Sequence, residues 1–179
     1  MSNLGQYIRS FRKSLFRLQA RAVYSVGGED EKNYRRFREG QVSLDVGDDG
    51  REWLRTIKGM TSEGRRWTNV QVLPSRLTPY LRYALQFGYV HYHASGAAVR
   101  FLLHSAPGDV LSLANKDFYV FDDKTVILME YDESGEFLGS EQMVSAAEIA
   151  RYLSIRDQVL RYSVDFEHVL SLTRLGRLL

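Results

Sequence analysis

The sequence predicts an α+β protein of one domain: a mixed sheet with one parallel βαβ unit and an antiparallel meander, and helices packed on it. Two arrangements carry that expectation. "WTNVQVL" (67–73), a helix opening at Thr78-Pro79 and "AAVRFLLH" (97–104) follow one another as strand, helix and strand. Such a unit lays its two strands parallel through a right-handed crossover. "DFYVFDDKTVILMEYDESGEFLGSEQMV" (117–144) then holds three apolar runs split by the turn signals "DDK" and "DESG", the pattern of an antiparallel meander. A chain of 179 residues, 44% apolar and 12% aromatic, has material for one core, and no Gly/Ser/Pro-rich linker or internal repeat divides it.

The elements follow in order. Leu4, Tyr7, Ile8 and Phe11 share the spacing of one helix face, so the chain opens on a short amphipathic helix. Apolar residues then alternate at 16, 18, 20, 22 and 24, the period of a strand, closed by Gly27-Gly28. "EDEKNYRRFREG" (29–40) is a helix with acids in its first turn, arginines in its last and Gly40 beyond. "QVSLDVGDDG" (41–50) reads as a polar loop whose Asp45, Asp48 and Asp49 serve turns, since it lacks the alternating ligands and closing glutamate of a calcium loop. Residues 51–62 read as helix, with Trp53, Leu54 and Ile57 on one side.

The strand begun at Trp67 stops at Pro74, which has no N–H for the ladder. Thr78 supplies a capping hydroxyl, Pro79 sits where its missing N–H costs nothing, and Gly88 reads as the end of that helix. Leu81, Ala84 and Leu85 form its core stripe; Tyr80, Tyr83 and Phe87 form a second, aromatic side. "SAAEIARYLSIRDQVLRYSV" (145–164) is a helix in which Ser145 and Glu148 are spaced as a capping box. Residues 165–179 keep a helical rhythm, with Phe166, Val169, Leu170, Leu172 and Leu175 apolar. The domain thus divides into an N-terminal helical and strand segment (1–62), a sheet core (64–144) and C-terminal helices (145–179).

Composition excludes several chemistries. With no cysteine there is no disulfide, no thiol nucleophile and no cysteine metal site, which fits a reducing, cytoplasmic setting. Arg9, Arg12, Lys13 and Arg17 interrupt the N-terminal stretch, so it offers neither a signal peptide nor a membrane span. The formal net charge of +2 hides a polarity along the chain: residues 51–105 hold eight Lys/Arg against two acids, and residues 106–150 hold ten acids against two lysines. That distribution gives either one basic face, attractive to phosphates or an acidic partner, or two neighbouring segments that neutralise each other.

Hydrolytic motifs are missing: there is no G-x-S-x-G elbow, no H-E-x-x-H and no glycine-rich phosphate loop. His91 and His93, read on an extended segment, would face one side, with His104 as a third ligand, but the convergent set of a zinc site is not there and no metal or cofactor is assigned. Glu130, Asp132 and Glu133 stand at a strand end where acids make turns, and no catalytic residue is assigned. Asp122 and Asp123 are hairpin residues that would serve a site only by projecting toward Arg100 or the helix start at Thr78.

The arginines are the better candidates. Arg65, Arg66, Arg76 and Arg82 flank one strand and the first turn of one helix, whose N-terminal amides favour an anion. Guanidinium forks bind phosphate or carboxylate in pairs of hydrogen bonds, and Trp67, Tyr80 and Tyr83 lie near enough in sequence to stack a ring. A solvated edge paired with the acidic segment is the alternative.

The order of these pieces resembles an uncharacterised actinobacterial family. The matching stretches are "SFRKSLFRL" (10–18), "GRRWTNVQV" (64–72), "LTPYLRYAL" (77–85), "GY" (88, 89), "VRFL" (99–102), "DFYVFDDKTVILMEYDESGEFLG" (117–139) and "ARYLSIRDQVL" (150–160). The resemblance implies a small stand-alone protein of the kind often encoded beside helix-turn-helix regulators. Residues 99–166 also resemble, more weakly, the effector region of regulators with a phospholipase-D-like fold. The His-x-Lys pair of that hydrolase is missing, His91 being followed by Tyr92 and His93, so this likeness implies a binding descendant without its nucleophile. Two departures stand out: relatives carry an acid after the glycine where this chain reads Gly96-Ala97-Ala98, and another at the position of Gln19. Where those acids orient Arg100 or Arg17, the site here is altered.

The expected function is a non-catalytic regulatory or signalling accessory that binds an anionic small molecule or an acidic protein segment. The ligand-binding set is Arg65, Arg66, Trp67, Arg76, Thr78, Tyr80, Arg82, Arg100 and Asp122. One alternative is an enzyme of transferase or phosphodiesterase type acting on a nucleotide or charged RNA, with Asp122 or His91 as acid or base. Another is a partner of a DNA-binding regulator, or a homodimer, formed through the C-terminal helix. Nucleic acid is a partner class the arginines admit; a membrane is not expected.

Overall fold

A computed structural model describes residues 4–41 and 44–174. Its centre is β1 (Ser14–Gln19), in a seven-stranded sheet of order β6-β5-β4-β1-β2-β3-β7. β1 pairs in parallel with β2 (Arg66–Leu73) and antiparallel with β4 (Phe118–Phe121). β2 in turn pairs in parallel with β3 (Ala98–Leu103), so the predicted βαβ unit is present. β4, β5 (Thr125–Tyr131) and β6 (Phe137–Gln142) form the predicted antiparallel meander, and the two-residue β7 (Val164–Asp165) closes the other edge. The α+β class is borne out, but the sheet's middle strand comes from the N-terminal segment and not from residues 64–144.

Because side chains alternate across a strand, the sheet has two unlike faces. Phe16, Leu18, Val70, Leu102, Phe118 and Val126 point to one face and pack with Tyr152, Ile155 and Val159 of α7 (Ala146–Tyr162). Val110 of α6 (Gly108–Leu113) completes that apolar layer. The opposite face carries Leu15, Trp67 and Phe101 at its ends and a polar row between them. It is covered by α3 (Gly47–Ser62) and by the crossover helix, with α1 (Leu4–Ser10) at one end. α8 (Phe166–Arg174) buries Phe166 and Val169 in the chain's own core, so that stripe is used internally; Leu175 and the rest of the predicted tail helix lie outside the described residues.

Several boundaries differ from the sequence reading, each for a local reason. β1 stops at Gln19 although apolar alternation runs on to Tyr24, because β4 offers no partner before Phe118 and Asp117 takes the Ala20 N–H at 2.9 Å. α3 begins at Gly47, inside the predicted loop, with Asp48 and Asp49 in its first turn where the helix dipole favours acids. The crossover helix starts as predicted, Thr78 Oγ1 accepting from Leu81 N–H and donating to the Ala22 carbonyl.

Gly88 does not end that helix. α4 (Pro79–Tyr83) runs through a π-helical turn, Ala84–Gly88, into α5 (Tyr89–Ala94), with Gly88 in ordinary helical conformation. The stop is Gly96, at φ 84°, where Gly96 N–H bonds the His93 carbonyl and Ala97 N–H the Tyr92 carbonyl. His91 and His93 therefore lie two apart on a helix and point away from each other: His91 packs against Phe87 and His93 pairs with Glu167 at 2.8 Å. Among the described residues no group of three His, Cys, Asp or Glu could hold a metal ion.

The β4–β5 turn explains Asp122. Asp122 and Asp123 both have positive φ, 52° and 57°, as a two-residue hairpin turn requires, and aspartate tolerates that region. The Asp122 carboxylate accepts from the N–H groups of Arg12, Lys13 and Ser14 at 2.7–2.9 Å, tying the start of β1 to the hairpin. Partial burial works against its charge, yet those three N–H groups hold its pKa below the usual value. An acid with a depressed folded-state pKa adds stability above its unfolded pKa of about 4 and loses it as pH falls through the folded value. Asp122→Ala is expected to cost about 1–3 kcal/mol in urea unfolding at neutral pH. Its deficit should shrink when the measurement is repeated below about pH 4.

Candidate functional site

The polar row on the helix-covered face is set by register. Arg17 lies opposite Asn69 on β2 and Tyr119 on β4, and Gln19 lies opposite Gln71. Asn69, Gln71 and Gln19 are buried, at 2%, 1% and 5% exposure. A buried amide must find partners or be costly, and these do. Gln71 donates to the carbonyls of Arg21 and Val72 at 2.8 Å and accepts from the Tyr89 hydroxyl at 2.9 Å, while Asn69 accepts from Trp67 Nε1 at 3.2 Å.

Arg17 is different. Its guanidinium sits 5.3 Å from the centre of the Tyr119 ring, a cation–π contact, and no ion pair to it forms among the described residues. Arginine remains protonated at any physiological pH. Burial lowers its proton affinity, but the tyrosine oxygens around it, Tyr119 first, more than restore it. A permanent charge is thus held inside the fold without a carboxylate.

Above this floor is a cavity of about 360 Å³ lined by six of the chain's eleven tyrosines: Tyr24, Tyr80, Tyr83, Tyr89, Tyr92 and Tyr131. The roof is α2 (Gly28–Arg38) with the π turn; Tyr83 donates to Asp30, joining the two, and the Tyr24 and Tyr34 rings flank Tyr80. Exposed Ser25, Asp30 and Phe137 mark where the cavity opens. There the β5–β6 turn is clasped to the chain after β1, Ser25 N–H bonding the Gly135 carbonyl at 2.9 Å. Gly135 has φ 88°, and a Cβ on it would lie 2.7 Å from the Val23 carbonyl oxygen, so only glycine permits the clasp.

Burial pushes up the pKa of Tyr24, Tyr80 and Tyr89, and that of Tyr119 to about 12 with Arg17 acting against the shift. At neutral pH these hydroxyls are uncharged donors. Asp117, held by Tyr24 at 2.6 Å and by Ala20 N–H, has its pKa raised by burial, with those hydrogen bonds and Arg17 opposing. Tyr24, Tyr83 and Tyr89 already donate to Asp117, Asp30 and Gln71. The cavity therefore presents one fixed cation on its floor, the hydroxyls of Tyr80, Tyr92 and Tyr131, and the Asp30 carboxylate at its mouth; its floor is chemistry for an anion.

Of the residues nominated from sequence, Tyr80 and Tyr83 line this cavity. Arg76, Thr78 and Arg82 line a separate open groove beyond the C-terminal end of β2. Arg65 and Arg66 lie at the other end, roughly 23 Å away at a strand's usual rise per residue. Arg65 is engaged by the Phe11 carbonyl and Glu63, and Arg66 lines a groove with Asp123 and Arg156. Trp67 is buried core, Arg100 donates to Ser163, and Asp122 caps backbone amides far from Thr78 and Arg100. The arginines do not converge, because a strand of eight residues stands between them. Nor do the basic and acidic segments neutralise each other: among the described residues no ion pair joins residues 51–105 to residues 106–150.

Arg17 and Gln19 entered the sequence reading only through the resemblance, outside the ligand-binding set, and Asn69 and Tyr89 were missed. Their signal was available: parallel strands are covered on both faces, so the polar alternates of "LFRLQ" and "WTNVQV" face protein and not water.

Fold and site together define an α+β domain with a tyrosine-walled cavity that opens to solvent and has a cation on its floor. The chain belongs to the family described as Domain of unknown function (DUF6879), whose profile matches residues 2–170. No curated protein matches it.

An unpaired buried charge weakens the fold that contains it, and a hydrophobic replacement of similar length relieves that cost. Arg17→Met is therefore expected to unfold at the same urea midpoint or a higher one, with a gain of up to about 3 kcal/mol.

Proposed function

We propose that the protein is a non-catalytic binding protein for a small anionic ligand, held in the Arg17 cavity. The observation that carries this reading is the half-buried Arg17 guanidinium, with no ion pair among the described residues, at the floor of a tyrosine-lined space of about 360 Å³. A phosphate or carboxylate there would gain charge-assisted hydrogen bonds from Arg17, and neutral tyrosine hydroxyls would supply the remaining donors. The volume lies in the range of small-molecule sites, roughly 300–1,000 Å³. Asp122, considered for acid or base work, does not line this cavity, and His91 lines only the pocket beside it, so neither stands with Arg17 on the cavity's lining.

The role we assign is that of a cytoplasmic regulatory or signalling accessory. Its resemblance to actinobacterial proteins encoded beside helix-turn-helix regulators supports a regulator as its partner. No helix among the described residues is long and apolar enough to cross a membrane.

Calorimetric titration with inorganic phosphate, benzoate and phenyl phosphate at low salt tests the reading. Binding of at least one anion is expected, with a loss of tenfold or more in Arg17→Met. A ligand at a hundred times its Kd should also add about 2.7 kcal/mol to wild-type stability. Equal affinity in wild type and Arg17→Met, or no heat and no thermal shift with any of the three, would overturn it.

A further inference from the structure

A second cavity, of about 220 Å³, adjoins the first, and Asp30, Gly88 and Tyr92 line both. Its character is opposite. Val46, Trp53, Leu54 and Phe87 give it apolar and aromatic walls, and the Tyr92 hydroxyl at the boundary is occupied by Trp53 Nε1 at 2.8 Å.

One polar atom in this second space has no partner. Asn33 lines the cavity and is 1% exposed, and its Oδ1 is buried without a hydrogen bond. The orientation of the amide is fixed, because Nδ2 donates to the Asp45 carbonyl at 2.6 Å and a flipped amide would set oxygen against oxygen. An unmet acceptor in an apolar pocket is a costly feature that a donor would relieve.

The π-helical turn lies between the two spaces. Such turns interrupt an α-helix at functional sites more often than elsewhere. Here the turn ends at Gly88, and a Cβ built on Gly88 meets nothing within 4 Å although its backbone is ordinary helix. Gly88, which lines both spaces, thus places no side chain between them.

A cation without an ion pair among the described residues therefore lines one of two adjoining cavities, and a residue whose acceptor has no donor lines the other, with aromatic walls beside it. We propose that the two cavities form one bipartite site for a purine nucleoside monophosphate, its phosphate on Arg17 and its base in the pocket walled by Trp53 and Phe87, with the exocyclic amine donating to Asn33 Oδ1. The flat base stacks on the rings, and the amine answers the orphan acceptor. This rests on the anion reading of the Arg17 cavity and adds to it the identity of the other end of the ligand.

Calorimetry on the full chain with four probes separates the two claims. The probes are adenosine monophosphate, purine riboside monophosphate, which lacks the amine, adenosine and inorganic phosphate. Adenosine monophosphate is expected to bind at least tenfold more tightly than each of the other three. Arg17→Met should erase its advantage over adenosine. Gly88→Leu, which fills open space in a helix, should keep the wild-type melting temperature and reduce adenosine monophosphate to the affinity of inorganic phosphate. The comparison with and without the amine is made on the wild-type protein, so it stands even where a variant fails to fold. Equal binding of adenosine monophosphate and phosphate, or no effect of removing the amine, overturns the bipartite site and leaves the anion reading standing. No response to either monophosphate or to phosphate overturns the bipartite site, and together with no response to benzoate or phenyl phosphate it overturns the anion reading as well.

Discussion

The structure turns on an arginine set into the middle of a sheet, covered by helices and given no carboxylate. Removing a guanidinium from water costs several kcal/mol even after the protein relaxes. Only part of that is returned by the Tyr119 ring face beneath it. The surrounding composition follows from this. A cavity walled by leucine would leave the charge bare, whereas tyrosine rings offer a negative face and a hydroxyl together. Burial keeps those hydroxyls protonated, so around Arg17 the rings supply dipoles and no counter-charge, and the lining carboxylate, Asp30, stands at the mouth and is held by Tyr83.

That demand divides the sheet. The face toward α6 and α7 is an ordinary apolar layer and supplies much of the buried hydrocarbon. The other face gives up its centre to Gln19, Asn69 and Gln71, and each of those amides is pinned by a neighbour at the ends of the polar row. The apolar residues displaced from the centre gather at its two margins. One cluster lies around Trp67 and Ile57, the other around Leu81 and Phe101. The site is thus bracketed by two small cores, which hold the covering helices in place without filling the space between them.

How much of this could be read from the chain depended on the range of the interaction involved. Local chemistry was legible: Thr78-Pro79 opens a helix, Ser145 with Glu148 opens another, and Asp122-Asp123 makes a hairpin. The crossover and the meander followed from such punctuation. Gly88 was misread because a glycine near the end of an apolar stripe looks like a stop, and only Gly96 takes the left-handed conformation that makes one. The site's polar row had a signal in β1 and β2, but its assembly did not. Arg17 looked like the polar half of a strand at the surface, and its surroundings come from β2, β4, α2 and the crossover helix, which pattern alone does not bring together. The arginine cluster misled by its density: closeness along an extended strand is distance in space.

The place of β1 also governs how the chain reaches its native state. The strand at the sheet's centre emerges first in synthesis, yet its parallel neighbour starts at Arg66 and its antiparallel one at Phe118. Until residues past Phe121 are available, one flank of β1 has no ladder to join, and closing so long a loop is slow. A nascent chain of this protein carries an unpaired, half-apolar edge through most of its elongation, a surface suited to chaperone capture or to premature association with another copy.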